Sequence, residues 1–73
     1  MPIRVESRDA LPSRLHTAER TYDVLEVFDA WRAGGRWWRG ELPSHHFAVE
    51  LEGGLLASIL ERGGAWRVER IQD

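Results

Sequence analysis

Ten consecutive residues, Trp31-Arg32-Ala33-Gly34-Gly35-Arg36-Trp37-Trp38-Arg39-Gly40, hold three of the four tryptophans and three of the ten arginines, with no acid among them. Two kinds of binding chemistry use these residue types. Indole faces stack nucleic-acid bases, at about 1–3 kcal/mol per base, while neighbouring guanidinium groups hold phosphates. Trp and Arg are also the types enriched at the energetic centres of protein–protein interfaces. A third arrangement needs no ligand: the indoles fill a small core and the arginine stems lie over them as cation–π covers. The candidate binding residues are Trp37, Arg39, Arg36 and Arg32 with His46, and, from the register argued below, Leu55 and Ile59. Trp37 and Trp38 are adjacent, and neighbours on a strand point to opposite faces. On a strand they do not enter one core together.

Other chemistry has little support. His45 and His46 on a strand point apart and make a poor bidentate pair for zinc, and neither His16 nor Glu50 stands at a ligand spacing that completes a site. Ser7, Ser13, Ser44 and Ser58 sit in no nucleophile motif. The Gly-Gly pairs lack the flanking pattern and following helix of a phosphate-binding loop. A chain of 73 residues has little room for a preorganised pocket. No catalytic residue, metal site or cofactor is expected, and the chain reads as a non-enzyme.

Net charge is -2 and every basic residue is Arg, which reflects GC-rich coding more than chemistry. A slightly acidic chain has no global field to gather nucleic acid or an anionic membrane. The charge is uneven, however: residues 31–40 are basic, whereas 42–61 carry Glu50, Glu52 and Glu61 and no Arg. Side-by-side placement of the two segments would neutralise both. The charged start, Met1-Pro2-Ile3-Arg4-Val5-Glu6, does not resemble a signal peptide, and no uncharged run approaches membrane-spanning length. A bacterial cytoplasmic protein is the expectation.

The elements that must position these residues read as β. The length allows one domain over 1–73, and a domain this small buries only about 60% of its unfolded surface. Without cysteine, aromatic packing or oligomerisation must make up the difference. Gly34-Gly35, Gly53-Gly54 and Gly63-Gly64 separate segments of strand length, a hairpin signal because tight hairpin turns need positive φ. Strands are expected over 36–41, 45–52, 55–62 and 65–71 as an antiparallel meander. Ile3 to Glu6 and Leu11 to Thr17 read as shorter strands. Over 20–33 the stripe Tyr22, Val24, Val27, Phe28 and Trp31 fits a short helix at 24–33 with Gly34 as its C-cap. A long bent strand, with Trp31-Arg32 pairing across Gly34-Gly35 onto Arg36-Trp37, is favoured because the flanking segments are β and so short a helix is marginal. The fold class is all-β: a small antiparallel barrel or strongly twisted meander of five to seven strands, SH3-like in size.

Register then sorts the side chains. A two-residue turn at Gly53-Gly54 sets Leu56 against Leu51 and Leu60 against Phe47. A core face follows, with Trp38, Phe47, Val49, Leu51, Leu56, Leu60, Trp66 and Val68. Keeping Trp66 and Val68 on it requires an odd-length or bulged turn at Gly63-Gly64. The other face carries Trp37, Leu55, Ala57, Ile59 and Ala48, rimmed by Arg39, His46 and Glu50. It is too apolar for plain solvent surface.

The order Tyr22-x-Val24-x-Glu26-Val27, Trp31-Arg32, Gly35-x-Trp37-Trp38-Arg39, Phe47-x-Val49, Gly53-Gly54, Gly64-x-Trp66-x-Val68-x-x-Ile71 resembles a small domain of unknown function. That domain occurs at the C-terminal end of ImuB-like proteins, Y-family polymerase relatives of bacterial mutagenesis cassettes, and as short stand-alone proteins in GC-rich bacteria. The likeness covers about residues 20–73. His45-His46 replaces a basic–aromatic pair of the family pattern, and Leu60-Glu61-Arg62 replaces a Tyr-Arg-Asp-like segment. The polymerase body and its carboxylates have no counterpart here. The resemblance implies an accessory, non-catalytic role in DNA damage tolerance and supplies no catalytic residues. The expected function is an interaction module that binds a protein partner or a second copy of itself. Single-stranded nucleic acid, held by a Trp/Arg hairpin, is the alternative. No membrane partner is expected.

Overall fold

The apolar spacing over 20–33 resolves as one long strand. In the computed structural model, which describes residues 2–35 and 37–72 apart from the side chains of Pro2 and Trp37, six antiparallel strands close into a barrel in chain order. These are β1 (Pro2–Arg8), β2 (Leu11–His16), β3 (Thr21–Ala33), β4 (Ser44–Leu51), β5 (Leu55–Arg62) and β6 (Ala65–Gln72). The barrel closes where Pro2 and Ile3 meet Arg67 and Trp66. No helix among the described residues is long and apolar enough to cross a membrane.

β3 bends because its pairing with β4 shifts register twice, between Val24 and Glu26 and between Val27 and Asp29. Each bulge adds one residue and a local kink. The strand therefore leaves β2 at Asp23 and follows β4 from Val24 to Ala33. The short helix at 24–33 does not form; of the expected hairpin partners of Trp31-Arg32, Arg36 lies outside the described residues and Trp37 stands in a 3₁₀ turn. Trp31 opposes His46 and Arg32 opposes His45. Among the described residues of 36–41 the expected strand does not form: Trp37–Arg39 form a single 3₁₀ turn in the connection to β4. Gly35 lets that connection fold onto itself, since a Cβ there would lie 2.6 Å from the carbonyl oxygens of Glu41 and Leu42.

Leu15, Phe47, Val49, Leu51, Ala57, Ile59 and Val68 form the buried core, with Val5, Tyr22, Val24, Val27, Leu55 and Trp66 packed around it. Burying each large aliphatic contributes about 1.5–3 kcal/mol. The expected β4–β5 register is one residue out. Leu51 opposes Leu55 and Phe47 opposes Ile59, because the connection is Glu52-Gly53-Gly54 and not the two glycines alone. A one-residue slip exchanges the faces of a strand. Ala57 and Ile59 are thus inside, and Leu56 is outside with 47% of its surface exposed. Leu60 shares that outer side through its pairing with His46. Trp38 is not in the core either, being 67% exposed.

The Gly63-Gly64 connection is a two-residue turn, closed by Arg62 and Ala65, with φ of 60° and 86°. Positive φ at both central positions is what a tight hairpin turn requires. No odd-length turn is needed, because Val68 opposes Ile59 and Ile59 faces the core. The irregularity lies further along, where Ser58 pairs with Arg70 and Glu69 is the extra residue.

Candidate functional site

The outer surface of β3–β6 collects the aromatic and charged groups that the core excludes. Directly paired residues of antiparallel strands share a face. The strand register therefore lays the outer side chains in level rows: Trp31, His46, Leu60 and Arg67 in one, and Asp29, Ala48, Ser58 and Arg70 in the next. Phe28, the extra residue of a β3 bulge, is exposed beside Leu56. Together with Ala48 and Arg70 they line a shallow depression of about 190 Å³. A second hollow of about 260 Å³ lies over Leu60, Arg62, Ala65 and Arg67.

At the centre, the Trp31 ring stacks on His46 with centroids 5.3 Å apart and planes 6° from parallel. The imidazole is held on both sides, with Nδ1 at 3.2 Å from Glu69 Oε1 and Nε2 at 2.9 Å from Ser44 Oγ. A carboxylate only accepts, so Nδ1–H donates to Glu69, while Nε2 shares the second bond with the Ser44 hydroxyl. This is the bond order of a serine-hydrolase relay. Ser44, however, is only 2% exposed beneath the 34–43 connection. It lines a hollow of about 360 Å³ together with Gly35, Leu42 and Arg62. The hydrogen bonds hold the imidazole flat under Trp31.

Apart from Glu69, which bonds His46 from β6, the charges on this face are segregated. Glu26 on β3 lies opposite Glu50 on β4, with Asp29 one step along β3. Arg67 and Arg70 lie on β6 and Arg62 on β5. Among the described residues none of these six is in an ion pair. The expected neutralisation between residues 31–40 and 42–61 does not occur there. Glu52 approaches Arg20 at 4.0 Å, Glu61 accepts from the Gly64 amide, and Glu50 faces another acid.

The residues singled out from sequence do not form one surface. His46 lies at the centre of the outer face. Arg32 is paired with His45, one residue out of step with Trp31 and His46, and so points to the other side of the sheet. Arg39 ends the 3₁₀ turn and is exposed. Arg36 and the Trp37 side chain lie outside the described residues. Leu55 and Ile59, expected on an exposed apolar face, belong to the core. The residues missed are Trp31 as an outward ring, Phe28, Leu56, Asp29, Arg67 and Arg70. Trp31 stood in the stretch first singled out; the others carry no local signal, because bulges and turn length decide their side. His45 and His46 fall on opposite faces of β4, and no three potential metal-ligating side chains gather among the described residues. The chain matches no protein-family model, no curated protein and no solved structure.

Proposed function

We propose that this chain is a non-enzymatic interaction module whose working surface is the outer face of β3–β6. The observation that carries this reading is the Trp31–His46 stack, clamped by Ser44 and Glu69, set among exposed Phe28 and Leu56. A preordered aromatic centre with a charged rim is what an interface needs to lose little entropy on binding. The resemblance to the C-terminal domain of ImuB-like proteins supports an accessory role in bacterial DNA damage tolerance, in the cytoplasm. A photo-crosslinking amino acid placed at position 56 is expected to yield discrete adducts in cells, and one at position 19, in the β2–β3 turn, is expected to yield none. Equal adducts at both positions, or none at 56, overturn the reading.

Single-stranded nucleic acid is the second reading, favoured by Arg67 lying in one row with the Trp31 and His46 rings. Titration of single-stranded DNA while following tryptophan fluorescence tests it. Saturable quenching that weakens with salt and disappears in Trp31→Ala would put this reading first. No response at low salt removes it.

A further inference from the structure

We propose that the open edge of β3, over residues 29–33, takes up one extended strand of a partner peptide that is basic along its outward side; this names the kind of partner for the interaction-face reading above and rests on it. The edge is open because β3 changes neighbours. Its pairing with β2 covers residues 21–23 and ends there. From Val24 onward β3 follows β4 on one side, and among the described residues no strand lies along the other. The connection after β3 runs away from this edge, since Leu42 lies beside Gly63 in the β5–β6 turn. Residues 28–33 are all exposed. Such an edge is a row of backbone donors and acceptors, and an added strand is the ligand that satisfies the whole row. Natural edges are blunted by bulges, Pro or Lys. Both bulges of β3 lie before Asp29, and from Asp29 with Ala48 to Ala33 with Ser44 the ladder is regular; residues 29–33 include neither Pro nor Lys.

One amide marks which residues face the opening. The Ala30 N–H donates to the Asp29 carboxylate, with Oδ1 at 2.9 Å. In an antiparallel ladder a residue turns both backbone groups to the same side, and successive residues alternate. An amide held by a side chain of its own strand is not spent on β4, so Ala30 and, two residues on, Arg32 turn theirs to the open side. The Asp29 carboxylate stands where the carbonyl of an added strand would lie. The charges then select the occupant. Glu26 and Asp29 are outward acids of β3, and neither is in an ion pair among the described residues. A strand laid on this edge sets its outward side chains across from theirs. Arginine or lysine there pairs with Asp29 and reaches the exposed Trp31 ring as a cation–π contact. An acidic peptide meets like charge at the same places.

The test is titration of the full chain with an acetylated, amidated peptide of alternating valine and arginine, followed by nuclear magnetic resonance and amide hydrogen exchange. Saturable binding below about 1 mM peptide is expected, with the Ala30 and Arg32 amides gaining protection. The same peptide with glutamate in place of arginine, and one with alternate amides N-methylated, are each expected to bind about tenfold more weakly or worse. Ala30→Pro removes the outward amide without taking a bond from β4, so it is expected to keep the fold and lose the peptide. Circular dichroism checks the fold of that variant, and the two altered peptides test the edge on the wild-type protein. No binding at about 1 mM, protection gained elsewhere, or equal binding of the glutamate or N-methylated peptide overturns the proposal. So does a wild type that sediments as a dimer and an Ala30→Pro variant that sediments as a monomer, which would make a second copy the occupant. Should position 56 crosslink in cells while the peptide fails to bind, strand addition falls and the interaction face stands. No binding and no adduct at 56 removes both.

Discussion

The β1–β2 hairpin and the outer face of β3–β6 are built from the same charged residue types and treat them oppositely. Around the hairpin a group of charges pairs within the chain. His16 Nε2 lies 2.6 Å from Glu6, and Arg14 lies 2.8 Å from Asp23 and 3.8 Å from Glu6. Arg20 sits over the Tyr22 ring at 4.5 Å. The hydrogen bond from His16, with Arg14 beside it, holds the Glu6 carboxyl below its usual value, and the bond to Asp23 raises the Arg14 guanidinium. On the outer face, Glu26, Asp29 and Glu50 stand on one flank and Arg62, Arg67 and Arg70 on the other, and none pairs among the described residues. On the outer face Glu69 bonds His46, and these six charges do not pair with one another. Exposed ion pairs contribute little to stability, about 0–1 kcal/mol each.

The largest effect comes from substituting across the sheet. Ile59 is 0% exposed, so Ile59→Glu places an unpaired charge in the core. It is expected to cost about 4 kcal/mol or more and to unfold the domain. Leu56→Glu, three residues earlier and outward, is expected to stay within about 0.5 kcal/mol of wild type. Urea titration of both checks the assignment of faces, and equal losses would undo it.

Next is the clamp on the aromatic centre. Ser44→Ala removes the hydrogen-bond partner of His46 Nε2 and is expected to cost about 1–2 kcal/mol. The Trp31–His46 stack should loosen with it, read as a change in near-ultraviolet circular dichroism. Preserved stability with an unchanged aromatic signal would show that Ser44 does not orient the ring.

The unpaired acids give a smaller effect of opposite sign. Glu26 opposes Glu50, and like charges across a strand pair destabilise. Glu26→Arg, measured at low protein concentration, is expected to gain about 0.5 kcal/mol, visible as a higher Tm. No gain would mean that the outer face is not electrostatically open.

The smallest effect lies on the hairpin. Because folding lowers the Glu6 pKa, its contribution is present above the ordinary value of 4.5 and is lost as pH falls through the lowered folded value. Glu6→Gln should therefore lower Tm slightly at neutral pH, and the difference should vanish in strong acid. A difference that persists there would assign the effect to packing.

Much of the barrel is legible in the residues. β4 shows strict alternation, Phe47, Val49 and Leu51 against Ala48 and Glu50, and β5 and β6 fall where the Gly-Gly pairs bracket them. β3 is harder for a definable reason. Its inward residues Tyr22, Val24 and Val27, then Ala30 opposite Phe47, follow spacings of two, three and three. Two bulges thereby imitate a helical period. The candidate site is less legible still. His46 is the residue of the expected set that the outer face contains; a two-residue turn at Gly53-Gly54 would point Leu55 and Ile59 outward, and the three-residue connection turns them in.

Local residue choice is enough to specify strands, hairpin positions and an all-β class, because β-branched and aromatic alternation and paired glycines act over a few residues. Which side of the sheet each strand presents came only with barrel closure. A Gly-Gly pair suits a two-residue or a three-residue connection equally well, and one residue of difference exchanges core for surface. Only the packing of all six strands around Leu15, Val49, Leu51 and Ile59 selects the connection that buries the aliphatics, and with it the outward row of Trp31, His46, Leu60 and Arg67.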